Sequence, residues 1–409
     1  PSAPSARVTA GSYGRVGASA AFGAGDGQRG FGLTAGVQRL RGFSATNPNS
    51  VFSYDPDDDG YRNRNLGLRG RTTLGSQRLA FSAVATDADV EFDQGDTRAR
   101  NSSAGLSLGG ELGARWSHQL SLGHAREDLD TVSGFSNAFR SRRTSLDWVN
   151  SLALGPDGTL NLGVNWQDEE GVSSNAFDGE TFSRSRSSRA AFAGYGGRWG
   201  TQLLDLSLRR DHSSQFGGAT TANAAWGWNI RPDTMLRLSW GEGFRAPNFN
   251  ELYYPDTGYG FAGNPDLRPE RSETLEAGLS LAPAPGHALG LSAYRTRVRD
   301  LIAFAAPLTN NAININRAEV DGADAIGLRQ QAQRGAGQQG QARVVVDQLG
   351  AGFRAVLVGL LALLQLLGMA QLQQFGVRRF GLLLFMCRQT AEAAVESFAA
   401  AGQGFAVLS

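Results

Sequence analysis

Lysine is missing from all 409 residues, so every one of the 39 basic side chains is an arginine. That bias fits a GC-rich coding sequence better than a binding role, and no function follows from it. Against 38 acidic residues the net charge is +1, which removes the electrostatic case for a nucleic-acid partner. Cys387 is the single cysteine, so neither an internal disulfide nor a cysteine-based metal cluster can form. The four histidines, His118, His124, His212 and His287, are scattered without metal-ligand spacing. Asp211, His212 and Ser213 are contiguous rather than arranged as a spatial triad, and no nucleophile motif accompanies them. The chain therefore reads as a non-enzyme. Hydrophobic runs long enough for a transmembrane helix are lacking too. The longest, Ala355–Ala370, holds 16 residues around a central Gln365, short of the roughly 20 required. Pro1 opens the chain without Met or a signal peptide, and the expectation is a processed or truncated product.

What is present is glycine, 54 residues of it, together with a negative mean hydropathy and a repeated two-residue alternation. A spanning β-barrel averages out as polar because lipid-facing and inward-facing residues alternate. Leu160, Leu162, Val164 and Trp166 fall on one face of their segment, opposite Asn161, Gly163 and Asn165. The segments 235–240, 204–209 and 275–281 repeat the pattern. Short turns read at 24–27, 75–77, 155–158, 196–200, 231–233 and 283–286. Long connections read at Phe43–Tyr61, Thr131–Phe139, Gln167–Thr181 and Gly243–Glu270. The two series interleave as an up-and-down barrel requires, whereas a soluble sandwich would show a turn every 8 to 12 residues or so. The fold expected is all-β, an antiparallel transmembrane barrel with about 16 strands between Val8 and Gly322.

The densest motif lies at 243–278. Phe244, Arg245, Ala246 and Pro247 lead to Glu251 and Leu252; Gly263, Asn264, Pro265, Leu267, Pro269 and Glu270 follow, then Glu276 and Gly278. Pro247, Pro255, Pro265 and Pro269 deny a ladder its amide donors, so the stretch reads as a long folded loop between two strands. In this order the residues resemble the TonB-dependent outer-membrane receptors, and within them the cobalamin (vitamin B12) and siderophore transporters. The resemblance covers residues 1 to about 322. It implies a Gram-negative outer-membrane location with lipid around the wall, a barrel of about 22 strands, and uptake of a scarce bulky ligand such as cobalamin or an iron-siderophore. It requires no cofactor. It also implies an N-terminal plug through which TonB acts; the sequence is expected to begin after that plug, about one strand into the barrel. A passive barrel remnant of a degraded receptor gene is the alternative.

Two domains are expected, 1–322 and 323–409. Residues 1–322 hold every Trp, Tyr and Pro, all 19 Asn and 8 Gln; residues 323–409 hold none of the first four and 13 Gln. The tail reads either as a genuine helical or disordered appendage or as a frameshift product, and the abruptness of the change favours the frameshift.

Several further residues invite functional readings. Asp55, Asp57 and Asp59 with Gly60 fit the first half of a calcium loop, although its twelfth position is Leu66 rather than Glu. Calcium is the one candidate ion, and a solvated acidic turn is the plainer account. Tyr253, Tyr254, Tyr259 and Phe261 crowd the long loop, where they could stack on a corrin or catecholate ligand or simply pack the loop. Gly258, Gly260 and Gly263 match a dinucleotide fingerprint but run into Asn264-Pro265 instead of a helix. Asn101 heads a formal glycosylation sequon without bearing on a bacterial protein. The seven tryptophans are expected at headgroup depth along the strands.

Overall fold

The computed structural model describes residues 4–44, 46–50, 54–134, 136–256, 262–304, 311–329 and 345–347. The Leu-rich run, Cys387, Tyr259 and Phe261 lie outside these residues.

Backbone pairing organises the chain almost entirely as antiparallel strands. The first eight are β1 (Ser5–Gly11), β2 (Arg15–Gly25), β3 (Arg29–Leu40), β4 (Tyr61–Leu74), β5 (Gln77–Phe92), β6 (Gly95–Gly113), β7 (Trp116–Val132) and β8 (Asn137–Ala153). Then come β9 (Gly158–Asn175), β10 (Gly179–Trp199), β11 (Gln202–Ser213), β12 (Gly217–Arg231) and β13 (Thr234–Arg245). A short helix α1 (Phe249–Tyr253) precedes β14 (Glu270–Ala284), β15 (His287–Phe304), β16 (Ala312–Arg329) and the three-residue β17 (Val345–Asp347). All belong to one sheet. The expected sixteen strands are β1–β16, an antiparallel transmembrane-barrel architecture, and β16 runs on past Gly322 to Arg329. Contacts divide the chain into two compact units. The larger comprises 1–276 with 295–320, and the other 277–294 with 321–409. Within the second, Ala325, Ile326 and Gly327 of β16 pair with Asp347, Val346 and Val345 of β17.

Connections alternate between two ends. Within the larger unit, turns at 26–28, 75–76, 114–115, 154–157, 200–201 and 232–233 form one end, and the loops 41–60 and 246–269 lie at the other. Two of the long connections expected from the sequence are corrected here. Instead of loops at Thr131–Phe139 and Gln167–Thr181, the strands continue to narrow turns at 133–136 and 176–178. The physical reason is length: β9 and β10 reach 18 and 21 residues, well beyond the roughly 9 to 11 that cross a bilayer. Their far ends stand in water, so both faces are polar and the apolar alternation disappears while the ladder persists.

Register shows why the sheet needs lipid. Phe81 pairs with Leu106, Leu106 with Leu122, Leu122 with Leu146 and Leu146 with Trp166. One residue along each strand the other face carries Ser82, Ser107, Ser121, Ser145 and Gln167. The apolar series is 41–48% exposed, a continuous band that water alone would not tolerate. All seven tryptophans share this outward face; Trp148 pairs with Val164 and Trp226 with Leu238. Such a band predicts a sided response to charge. Leu120→Arg should destabilise the bilayer-inserted chain by about 2–4 kcal/mol, whereas Gln119→Arg on the inner face should change stability by about 0.5 kcal/mol or less. Denaturant titration in phosphatidylcholine vesicles measures both.

Candidate functional site

Proline at 247 and the extended backbone of Asn248 stop β13, and the sequence then supplies a cap. The Asn248 side chain accepts from the Glu251 amide at 2.8 Å while Glu251 Oε2 accepts from the Asn248 amide at 2.7 Å, a reciprocal capping box that starts α1. The helix lasts five residues. Beyond it the chain folds back on itself, the Gly263 amide donating to Tyr254 O and the Asn264 amide to Glu251 O, both at 2.8 Å. A Cβ at Gly263 would lie 2.6 Å from the amide nitrogens of Tyr253 and Tyr254, so glycine is what lets the two limbs close.

One guanidinium ties this loop to the strands. Arg245 donates through Nε and Nη2 to both oxygens of Glu270, at 2.7 and 2.8 Å, and through Nη1 to Glu251 at 3.1 and 3.2 Å. Glu270 Oε1 also accepts from the Ile302 amide at 2.8 Å. Twelve residues into β13 and fifteen from the turn end of β14, the pair lies beyond the membrane-crossing stretch. The Arg245 bond, reinforced by the Ile302 amide and opposed by partial burial, holds the Glu270 carboxyl below its ordinary value. The same carboxylates raise Arg245. Beneath the clamp Leu252, Leu267 and Ala312 form a closed apolar cluster with Phe216, Tyr253 and Ile302 packed on it. Asn264 donates to Ala312 O at 3.0 Å, and Asn314 exchanges bonds with Arg268 at 2.8 and 2.9 Å.

The helix side of the loop rests on the inner face of β9 and β10. Phe249 packs so closely on Gly171 that a Cβ there would lie 2.6 Å from the ring. Arg186 lies over the same ring at 4.8 Å, donates to Glu169 at 2.7 Å and reaches the buried Pro247 carbonyl at 2.7 Å. Tyr253 takes a bond from Gln215 to its hydroxyl at 2.6 Å, lies under Arg184 at 5.0 Å and beside Phe182 at 6.0 Å. This part of the aromatic group packs the loop. Tyr254 is half-buried at the end of α1. Of the remaining motif residues, Phe244, Ala246 and Pro269 are half-buried and Pro265 is exposed. The helix and its cap were missed in the sequence, although Asn248 three residues before Glu251 is a legible signal.

The acidic loop is rearranged relative to the sequence expectation. The carboxylates whose oxygens gather within 4.8 Å are Asp57, Asp59 and Asp93, with Asp55 outside the group. Asp93 comes from the β5–β6 turn, against which the 41–60 loop docks through Ser44 to Asp93 at 3.0 Å and the Gly60 amide to Glu91 at 3.0 Å. Because β4 begins at Tyr61, Leu66 is a strand residue and a twelve-residue calcium loop cannot form. Desolvation, together with the charges of Asp55, Asp59 and Asp93, pushes the Asp57 carboxyl above its ordinary value. Asp93 Oδ2 is buried without a hydrogen-bond partner among the described residues. A hard cation fits that donor set.

The clamp makes two checkable forecasts. Arg245→Gln removes charge-assisted bonds worth about 1.5–3 kcal/mol, so limited proteolysis within 246–269 should accelerate by about tenfold or more with the sheet intact. Arg245→Lys should not restore protection, lacking the planar fork. Because the folded Glu270 value is depressed, its contribution is full above the ordinary 4.5 and is lost as pH falls through the lower folded value. Protection of this loop should hold from about pH 8 to 5 and decline only in more acidic buffer.

Comparison with known proteins places this geometry. A family profile described as TonB dependent receptor-like, beta-barrel, matches residues 4–355. The vitamin B12 transporter BtuB of Vibrio vulnificus is 29% identical over 310 residues, 68% of this chain and 49% of its own length. BtuB of Photobacterium profundum is 26% identical over 339 residues, 78% and 53% of the two chains. The chain thus spans about half the length of the curated relatives it matches. Among solved structures, a double mutant of the Serratia marcescens hemophore receptor HasR, in complex with its hemophore HasA and heme, superposes with a TM-score of 0.65. It is 17% identical, with 80% of this chain and 60% of that one covered, a likeness of fold alone.

Proposed function

This chain belongs to the TonB-dependent receptor-like β-barrel family, and from that premise we propose that it forms the wall and capture loops of an outer-membrane receptor for a scarce, bulky ligand of the cobalamin or iron-siderophore type. The observation that carries the reading is the 246–269 loop, clamped by Arg245 and laid on the inner face of β9 and β10. A fixed platform inside the loop end presents aromatic and guanidinium groups to anything entering. Tyr253 serves the platform by packing, while Tyr254, with Tyr259 and Phe261 further along the loop, supplies ring area for stacking at low entropic cost. The relatives named for vitamin B12 transport support cobalamin as the first ligand to try. In this reading the loop end is extracellular, and inward release draws on energy that TonB delivers through a plug.

Binding of cyanocobalamin and of a ferric catecholate to the purified chain in detergent tests the reading, followed by quenching of tryptophan fluorescence. One of the two should bind, and Tyr254→Ala with Tyr259→Ala should weaken it by about tenfold. Tyr253→Phe, which keeps the ring and loses only the Gln215 bond, should bind as the unmutated chain does. Absence of binding by either ligand, or affinity unchanged in the double variant, contradicts the role.

Calcium enters as part of the same proposal. Asp57, Asp59 and Asp93 would hold the ion, pinning the 41–60 loop to the β5–β6 turn. It would supply charge neutralisation and order, with no chemical step. Asp57→Asn, Asp59→Asn and Asp93→Asn together should abolish calcium-dependent protection of this loop from protease, while Asp55→Asn should leave most of it. Equal protection in calcium and in chelator before any mutation rejects the site.

A further inference from the structure

β10 outruns the strand beside it, and the difference leaves a length of backbone open. Its ladder to β9 runs from Gly197 up to Gly179, whereas its ladder to β11 stops at Ser188, opposite Ser213. The β11–β12 turn at 214–216 then leads the chain away. Above that turn the stretch 179–187 is paired on one side only, beyond the part of β10 that crosses lipid. The last contact with the turn shows which groups face the open side. The Ser187 amide donates to Ser214 Oγ at 3.0 Å, and the Ser187 carbonyl accepts from the Ser214 amide at 2.9 Å. Backbone direction alternates along a strand, so the amides and carbonyls of Ser185 and Ser183 point the same way. Those of Arg184 and Arg186 turn back into β9.

An open edge invites a further strand, and proteins normally blunt it. A bulge at Thr181 closes the upper end here, where the register with β9 shifts between Glu180 and Phe182. Below the bulge Ser183, Arg184 and Ser185 are all exposed. The Ser183 carbonyl holds the Arg184 guanidinium at 3.0 Å. The Ser183 amide and both backbone groups of Ser185 take no further hydrogen bond among the described residues.

Charge decides which strand fits. Arg184 lies on the inner side, over the Tyr253 ring at 5.0 Å, and meets no carboxylate among the described residues. Arg186, its neighbour on that face, is already held by Glu169 and by the Pro247 carbonyl, each at 2.7 Å. A strand added beside 183–187 sets every second side chain next to these two, so a carboxylate opposite Arg184 favours pairing and a cation opposes it. A second copy of this chain does not meet the geometry. Two copies inserted the same way up share the direction and tilt of β10, so across a twofold axis along the membrane normal their open edges cross at roughly 80° and form no ladder.

We propose that the open edge of β10 at 183–187 takes up an extended acidic segment of a soluble protein as an added strand. Main-chain bonds to Ser183 and Ser185 hold the segment, and a carboxylate on its inner side pairs with Arg184. The edge thereby makes the receptor a docking point for a protein as well as for a small ligand. Its place at the cell surface rests on the outer-membrane reading above.

Fluorescence anisotropy of labelled peptides with the full chain in detergent tests the edge. The probes are a heptapeptide of alternating threonine and glutamate, the same peptide with every amide N-methylated, and one with lysine in place of glutamate. The acidic peptide should bind the unmutated chain about tenfold more tightly than either of the others. Ser185→Pro should reduce it to the level of the N-methylated peptide, since the change removes a donor on the open side and leaves the β9 ladder whole. Ser185→Ala should bind as the unmutated chain does, and Arg184→Gln should level the acidic and lysine peptides. Equal affinity for all three peptides in the unmutated chain, or undiminished binding of the acidic one by Ser185→Pro, overturns the proposal. So does a disulfide-linked dimer formed in vesicles by Ser185→Cys in a Cys387→Ser background, which gives the edge to a second copy. Heat-modifiable migration on the same samples separates the two readings. A heat-modifiable chain without peptide preference refutes the edge site alone, and an unmodifiable one refutes the membrane barrel and the edge site with it.

Discussion

A strand that crosses lipid must pair every backbone amide with a neighbouring strand and must show that lipid an apolar side chain at every second residue. Nearly everything else here follows from that constraint. The outward series from Phe81 through Leu106, Leu122 and Leu146 to Trp166 exists because the register of five successive strands holds to the residue. A slip of one would exchange it for Ser82, Ser107, Ser121, Ser145 and Gln167. Tight turns at one end enforce the register, which leaves the other end free to carry length.

At that free end the same ladder works in a different solvent. Once β5–β10 leave the lipid, apolar cross-strand pairs give way to arginine–carboxylate pairs on the outward face, while the inward face gains Glu169, Arg186, Arg209 and Asp211 in close contact. Of these inward groups, Arg186 receives the 246–269 loop, through Phe249 and the Pro247 carbonyl. Arg186 links β9 to the Pro247 carbonyl, and Arg245 binds Glu251 inside the loop and Glu270 at its exit. Two guanidiniums thus hold the loop from both sides. This also accounts for the motif at 244–270: its charged members build the clamp, Leu252 and Leu267 fill its apolar base, and Gly263 permits the close return.

Much of this was legible in the sequence where one face is apolar. Leu160–Trp166 and Met235–Trp240 announce their strands, and the Pro-rich loop announces its own length. Legibility failed where both faces are polar, so that the ends of β9 and β10 read as loops. It failed again where partners are distant in the chain. Asp93 belongs with Asp57 and Asp59 through a neighbouring turn that no local spacing encodes, and the half calcium motif pointed to Asp55 instead. The paired charges at 62/64, 87/89, 98/100, 128/130 and 140/142 carried a period of two in plain view, with charge instead of hydrophobicity as the signal. The Asn248–Glu251 cap was likewise visible, but a five-residue helix inside a proline-rich loop has too little periodicity to draw attention.

The central claim is that one face of this sheet meets lipid and the other an aqueous interior. Nitroxide scanning of β7 tests it most directly, using single cysteines at 117–123 in a Cys387→Ser background reconstituted in phosphatidylcholine. Collision with oxygen should peak at 118, 120 and 122, and collision with a water-soluble nickel chelate at 117, 119, 121 and 123, a two-residue period with the two probes out of phase. Equal access of the nickel chelate to all seven positions, or a profile without that period, would contradict the account.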